Sequence, residues 1–364
     1  MPDSPSAHDS PLLRRLPGLS RPRLPLAGPP TAVEPLPRLG AALGLADLWV
    51  KRDDLAGAPY GGNKVRKLEF LLADAKRRGA ATLLAVGATG SNFVAATACY
   101  AGRLGLDTVA LLADQPNAAY VRRNLLLGAR WGARQVRCRG KAELLARRAW
   151  LAATLPRCYS MPLGGSSPVG TLGYADAALE LAEQIAAGLL PMPAAVFVAT
   201  GSMGTQAGLL LGFALAGLDV PVVGVPVMTR ALPWRQAIAR LHDATARLLV
   251  HEGALSEVPR RGRVHVALGH AGAGYARFTP EGRDLVRAAA DLEGLCLDGT
   301  YTAKAVAGMA ATARDLGLAG RPVLFWLTLN GRDLAAELQE CSPAAVPAAF
   351  AAYFDGAPQP YDPG

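Results

Sequence analysis

Along the chain, short apolar runs alternate with longer stretches in which apolar residues recur every three or four positions. The short runs read as buried strands and the longer stretches as helices with one covered face. Strands are expected at 47–50, 82–86, 108–113, 135–137, 196–200, 220–227 and 323–327. Helices are expected after the turn at 61–64, over an alanine-rich stretch to about 104, to about 131, over 141–155 and to about 187. Others follow Thr205, span 234–249, open at Thr279-Pro280 with a cap and a first-turn proline, and run over 305–316. Repeated strand–helix units predict the α/β class, with open, twisted, mostly parallel sheets covered by helices on both faces. A length of 364 residues favours two domains over one core.

Polar glycine turns punctuate this pattern where strands give way to helices, the place where such folds bind ligands. Gly61-Gly62-Asn63 puts Lys64 at the mouth of a helix whose Val65, Leu68, Leu72 and Ala75 share one face. A lysine on a rigid element beside a backbone bend can form a Schiff base with pyridoxal phosphate if its pKa is lowered. A first-turn lysine pointing at water is the plainer alternative. The chain has only six lysines among 38 basic residues, leaving 32 arginines, so each lysine is conspicuous. Gly201-Ser202-Met203-Gly204-Thr205 converges backbone N–H groups at a helix start, which suits a phosphate and equally serves as a tight connection. Gly90-Ser91-Asn92 offers a hydroxyl and an amide to a ligand, or simply caps the next helix. Tyr301, followed by Thr302, and Tyr275 after Gly272-Ala273-Gly274 are acid/base candidates or core tyrosines.

Composition narrows the field. The net charge of +9 is spread along the chain in short runs without aromatic interleaving, so an anionic small molecule fits better than nucleic acid. Residues 1–30 carry prolines and arginines but no apolar run, and read as a largely irregular arm; no stretch is suited to a membrane. Histidines 8, 242, 251, 265 and 270 lack zinc spacing, so no metal is expected. Cysteines 99, 138, 158, 296 and 341 show no paired spacing, which points to reduced thiols and the cytoplasm. Ser91 is not in a nucleophile elbow.

Several stretches together resemble one family. They are Val50-Lys51-Arg52-Asp53-Asp54, the Gly61–Lys64 turn with Arg66-Lys67-Leu68-Glu69, Ser91-Asn92, and Gly164-Gly165-Ser166-Ser167-Pro168 with Gly170 and Gly173-Tyr174. The Gly201 to Gly208 loop and Asp298 with Tyr301-Thr302 and Lys304 complete the series. Their order and spacing, over about residues 30–335, resemble the aminocyclopropane-carboxylate deaminase and D-cysteine desulfhydrase family. These are pyridoxal-phosphate enzymes of fold type II, the tryptophan-synthase-β type. The resemblance implies a homodimer with the cofactor between two domains. A large domain would comprise 31–66 and 176–345 and a small one 67–175, with a C-terminal tail at 346–364. Lys64 would carry the cofactor and later move a proton. Asn92 would bond the cofactor phenolic oxygen, and the backbone of Gly201, Ser202, Met203, Gly204 and Thr205 would hold its phosphate. Ser91 would lie near the substrate carboxylate and the reacting proton, and Tyr275 and Tyr301 would flank the substrate.

Within that family, ring-opening deaminases carry a glutamate where this chain has Thr302. A hydroxyl from Thr302 or Thr328 gives the pyridine nitrogen no counter-charge, which favours prompt loss of a β-substituent. The expectation is therefore a β-eliminating lyase acting on a small amino acid. A β-replacement transferase, a ring-opening deaminase, a cofactor carrier without turnover and an unrelated phosphate-binding protein are the alternatives. The chain departs from the family at Gly90, at Phe93-Val94-Ala95-Ala96, at Gly299 and Thr300, and at Leu329-Asn330. These changes suggest a substrate less polar than D-cysteine.

Overall fold

A computed structural model describes residues 10–229 and 233–362. In chain order the strands are β1 (Val33–Pro35), β2 (Leu48–Lys51), β3 (Thr82–Ala88), β4 (Asp107–Ala113) and β5 (Ala133–Cys138). They continue with β6 (Cys158–Ser160), β7 (Ala195–Thr200), β8 (Val222–Pro226), β9 (His265–Val266) and β10 (Val323–Trp326). They form two sheets. The larger has the order β1-β2-β10-β7-β8-β9, and the smaller has β5-β4-β3-β6. Every pairing is parallel except β1 with β2. Central strands such as β7 are buried on both faces, which explains their unbroken apolar runs.

The helices are α1 (Pro11–Arg15), α2 (Pro37–Leu43), α3 (Asn63–Arg77), α4 (Asn92–Gly102), α5 (Ala119–Arg130), α6 (Lys141–Thr154) and α7 (Pro168–Ala186). After these come α8 (Gly204–Ala216), α9 (Trp234–His251), α10 (Pro280–Glu293), α11 (Thr302–Asp315), α12 (Ala335–Gln339) and α13 (Ala351–Asp355). Val50, Phe197, Val225, Val306 and Phe325 share the core of the large sheet, while Leu68, Leu72 and Phe93 share a core beside the small one. The expected boundaries at 66/67 and 175/176 each fall inside a continuous helix, α3 and α7.

Three short strands and the helices α2, α12 and α13 went unpredicted. β1, β6 and β9 have three residues or fewer, too few to show a period. The arm expected to be irregular contains α1, capped by Ser10 Oγ accepting from Leu13 N–H at 3.2 Å. Asp176 on α7 accepts from Ser10 Oγ at 2.6 Å and Leu12 N–H at 2.8 Å, which fastens the arm to the body. Residues 1–9 and His8 lie outside the described residues. Among the described residues no helix is long and apolar enough to cross a membrane, and no group of ligating side chains is placed for a metal.

The element that carries Lys64 is held rigidly. A Cβ on Gly173 of α7 would lie 2.0 Å from Arg66 O of α3, so only glycine permits this crossing. Arg66 is buried and its Nη2 donates to Asp53 Oδ1 at 2.7 Å while Nη1 donates to Glu180 Oε2 at 2.9 Å. Lys51 Nζ donates to Glu180 Oε1 at 2.5 Å and Gln184 Oε1 at 2.7 Å. Trp326 Nε1 and Tyr174 Oη both donate to Asp53 Oδ2, at 2.7 and 2.8 Å. Two cations and two carboxylates thus neutralise one another beneath the lysine turn. The cations hold Glu180 down to about 2 against the upward pull of burial.

Candidate active site

The turn before α3 is shaped by close backbone approach. Gly62 has φ +89°, and a Cβ there would lie 2.9 Å from Asn330 N. Asn330, one of the departures from the family pattern, accepts from Gly61 N–H at 2.7 Å through Oδ1 and clamps the turn. Asn63 N–H donates to Thr328 O at 3.2 Å, and Asn63 Nδ2 donates to Thr205 Oγ1 at 3.2 Å. Lys64 is half-buried at the first turn of α3. Desolvation lowers its pKa to about 8, and the Asp298 carboxylate opposes the shift.

Across from it, β7 ends in the Gly201–Thr205 turn and α8 begins at Gly204. Met203 sits at φ +69°, a left-handed conformation rare outside glycine, and this bend turns the chain from β7 into α8. Glycine at 204 matters because a Cβ would meet Ser166 Oγ at 2.5 Å and Lys67 Nζ at 3.1 Å. Ser166 Oγ accepts from Gly204 N–H at 3.1 Å and donates to Ser202 Oγ at 2.8 Å. Lys67 is fully buried, donating to Gly164 O at 3.3 Å and Ser166 Oγ at 3.2 Å. Burial, with repulsion from Lys64, drives its pKa well below the usual lysine value. A buried lysine amine beside the turn that opens α8, with no carboxylate bonded to it among the described residues, is suited to receive an anion.

Asn92 is the next element. Its Oδ1 accepts from Tyr60 Oη at 3.1 Å and from Asn124 Nδ2 at 2.8 Å. With the amide oxygen engaged twice, Nδ2 is the group left to donate into the cleft. Ser91 Oγ caps α4 by accepting from Val94 N–H at 3.3 Å, and its own proton remains to be given. Tyr275 and Tyr301 share a hydroxyl–hydroxyl bond of 2.6 Å, with rings edge to face at 5.9 Å. Burial raises both phenols, Tyr301 well above the ordinary value. Tyr301 also borders the Gly201–Thr205 turn, its ring 3.5 Å from where a Gly201 Cβ would sit.

Asp298 shapes this side of the cleft. Its Oδ1 accepts from Thr300 N–H at 2.7 Å and Tyr301 N–H at 2.5 Å. Thr302 Oγ1 accepts from Asp298 N–H at 2.6 Å and donates to Asp298 Oδ2 at 3.2 Å, so this hydroxyl is committed locally. Lys304 Nζ donates to Ala271 O and Gly274 O, at 2.7 and 2.8 Å, and fixes the turn before Tyr275. Phe93, expected to line the substrate side, is instead 1% exposed and packs under Gly165, 2.9 Å from a Cβ placed there.

Lys67, Ser166, Tyr60, Asn124 and Asp298 were not singled out as site residues. Lys67 had a signal, since it lies three residues after Lys64 on the same helix face in a chain short of lysine. Asn124 had none, because its role depends on α5 packing beside α4.

Comparison with known proteins agrees with this geometry. A family model described as pyridoxal-phosphate dependent enzyme matches residues 24–328. D-cysteine desulfhydrase of Salmonella choleraesuis is 38% identical over 299 residues, covering 79% of this chain and 87% of that protein. The solved structure of an ACC deaminase homologue is 32% identical with a TM-score of 0.76, covering 90% of this chain and 98% of that one. Threonine deaminase isoform 2 from Solanum lycopersicum, 16% identical with a TM-score of 0.62 over 93% of this chain and 95% of that one, shares the fold. The lysine turn, the phosphate-type turn with its buried ammonium, and these likenesses agree: the chain belongs to the pyridoxal-phosphate-dependent enzymes of fold type II, in the D-cysteine desulfhydrase and ACC deaminase family.

Proposed function

We propose that this pyridoxal-phosphate-dependent lyase removes a β-substituent from a small amino acid, D-cysteine or a less polar relative, working as a homodimer in the cytoplasm. In that reading 31–66 and 176–345 form the cofactor lobe and 67–175 the smaller lobe. The observation that carries it is Lys67, a buried amine with no carboxylate bonded to it among the described residues, on the same helix face as the half-buried Lys64. The cofactor's phosphate would meet the N–H groups of Gly201–Thr205 and Lys67 Nζ. Asn92 Nδ2 would donate to its phenolic oxygen, and Lys64 Nζ would bind its aldehyde.

Bound there, pyridoxal phosphate supplies an electron sink that acidifies the α-proton of an attached amino acid. Lys64 Nζ, when free, is near neutrality in basicity and suited to move that proton. Ser91 Oγ–H would bind the substrate carboxylate. One proton of the Tyr275–Tyr301 pair lies between the phenols, and the other is available to the departing β-substituent. With Thr302 committed to Asp298, Thr328 is the remaining hydroxyl for the pyridine nitrogen, and neither carries charge. In balance, the amino acid loses its α-proton and β-substituent and, with one water, yields a keto acid and ammonia.

The test is turnover of D-cysteine, β-chloro-D-alanine and aminocyclopropane carboxylate by the holoenzyme. The expected result is keto acid from the β-substituted compounds and none from the ring compound. Efficient ring opening would overturn the reading.

A further inference from the structure

The C-terminal tail lies beyond the family-matched residues, yet it reaches the site from outside. Phe350 and Tyr353 are buried in the same apolar cluster as Val94, Val121 and Phe278. Tyr353 Oη accepts from Gln115 N–H at 3.0 Å and donates to Gln115 O at 3.1 Å. Gln115 passes this hold inward. Its Oε1 accepts from Gly90 N–H at 3.0 Å and its Nε2 donates to Tyr120 Oη at 2.7 Å. Thr300 Oγ1 donates to the same phenol at 3.1 Å.

Further along, Gln359 N–H donates to Asn117 O at 2.9 Å on the small-sheet side. Its side chain reaches the other side, with Oε1 accepting from Phe278 N–H at 3.1 Å and Nε2 donating to Ala276 O at 2.8 Å. Ala276 adjoins Tyr275 and stands at φ +56°, a conformation an alanine keeps only when its surroundings hold it. Glycines at 90 and 299 make room for this wall. A Cβ at Gly90 would lie 2.6 Å from the Tyr120 ring, and one at Gly299 would lie 2.6 Å from the Phe278 ring. Those two rings pack on each other with centroids 6.4 Å apart.

We propose that the tail is a strap across the mouth of the cleft. Tyr353, through Gln115, and Gln359, through Ala276 and Phe278, act as positioning residues that set the distance between the Ser91–Asn92 turn and Tyr275. The strap governs affinity for the amino acid and leaves Lys64 and the Gly201–Thr205 turn alone. This deepens the proposed lyase reading and rests on it for the nature of the substrate.

The experiment compares the full-length holoenzyme with Gln359→Ala, Gln359→Glu and Tyr353→Phe. It reads visible cofactor absorbance, the KM and kcat of the best amino acid, and amide hydrogen exchange of the cofactor-free proteins. Gln359→Ala is expected to raise KM about tenfold with kcat within about twofold and absorbance unchanged, the size of one hydrogen-bonded contact. Exchange should quicken at 114–120 and 272–278 and stay unchanged at 201–208. Gln359→Glu keeps the acceptor for Phe278 N–H and should fall between, and Tyr353→Phe should act mainly on 114–120. Faster exchange with an unchanged KM would reduce the tail to packing and overturn the proposal. So would unchanged exchange, or loss of cofactor absorbance alongside the rise in KM. A native holoenzyme that no amino acid alters spectrally would instead sink the lyase reading, while exchange would still report the strap.

Discussion

An ammonium withdrawn from water gives up its proton more readily, and Lys64 shows this with a pKa lowered to about 8. Below that pH the amine is protonated and unable to attack an aldehyde; above it the amine is free. The rate at which cofactor-free protein captures pyridoxal phosphate should therefore rise roughly tenfold between pH 6 and pH 7 and level off a little above 8. A stopped-flow absorbance series checks this, and a rate still climbing tenfold per unit at pH 10 would contradict it. Lys67, three residues on, is proposed for different work. Its ammonium lies against Gly164 O and Ser166 Oγ, so a phosphate would restore the charge that burial suppresses. Lys67→Ala should weaken pyridoxal phosphate about 10- to 150-fold, the range for a charge-assisted hydrogen bond. Affinity for pyridoxal, which lacks the phosphate, should change less than about twofold. Equal losses for both compounds would remove Lys67 from the phosphate site.

At the scale of elements, α3 matters because it carries both lysines and cannot shift. Gly173 brings α7 against its backbone, and Arg66 ties it to the turn after β2 and to α7 through Asp53 and Glu180. Removing one partner of a buried ion network leaves charge without compensation. Arg66→Met should therefore cost about 3–5 kcal/mol, measured by urea denaturation of the cofactor-free protein. A loss below about 1 kcal/mol would show that Asp53 and Glu180 are satisfied without it. This network also marks what a linear reading can reach. Lys51, Asp53 and Arg66 belonged to a recognisable motif, but their joint burial with Glu180 and Trp326 depends on contacts over 100 residues apart. The helix start at Thr279-Pro280 was legible because a cap and a first-turn proline are local chemistry. β9 was not, because it exists only through pairing with β8.

For the whole molecule, alternating apolar runs were enough to predict mostly parallel sheets, and the turns at 90–92 and 201–205 follow β3 of the smaller sheet and β7 of the larger. The candidate cofactor side was open to a linear reading because it lies in contiguous turns at 61–64, 90–92 and 201–205. The substrate side was less so. Phe93 turned inward, while Tyr120, Gln115 and the tail took places no local pattern announced. The central claim remains a covalent link between Lys64 and an aldehyde, and mapping that link tests it most directly. The protein is reconstituted with pyridoxal phosphate, reduced with borohydride, digested and sequenced by mass spectrometry. The account predicts a single reduced adduct on the peptide containing Lys64, absent from Lys64→Ala. An adduct on Lys67 or Lys304, or one that survives in Lys64→Ala, would contradict it.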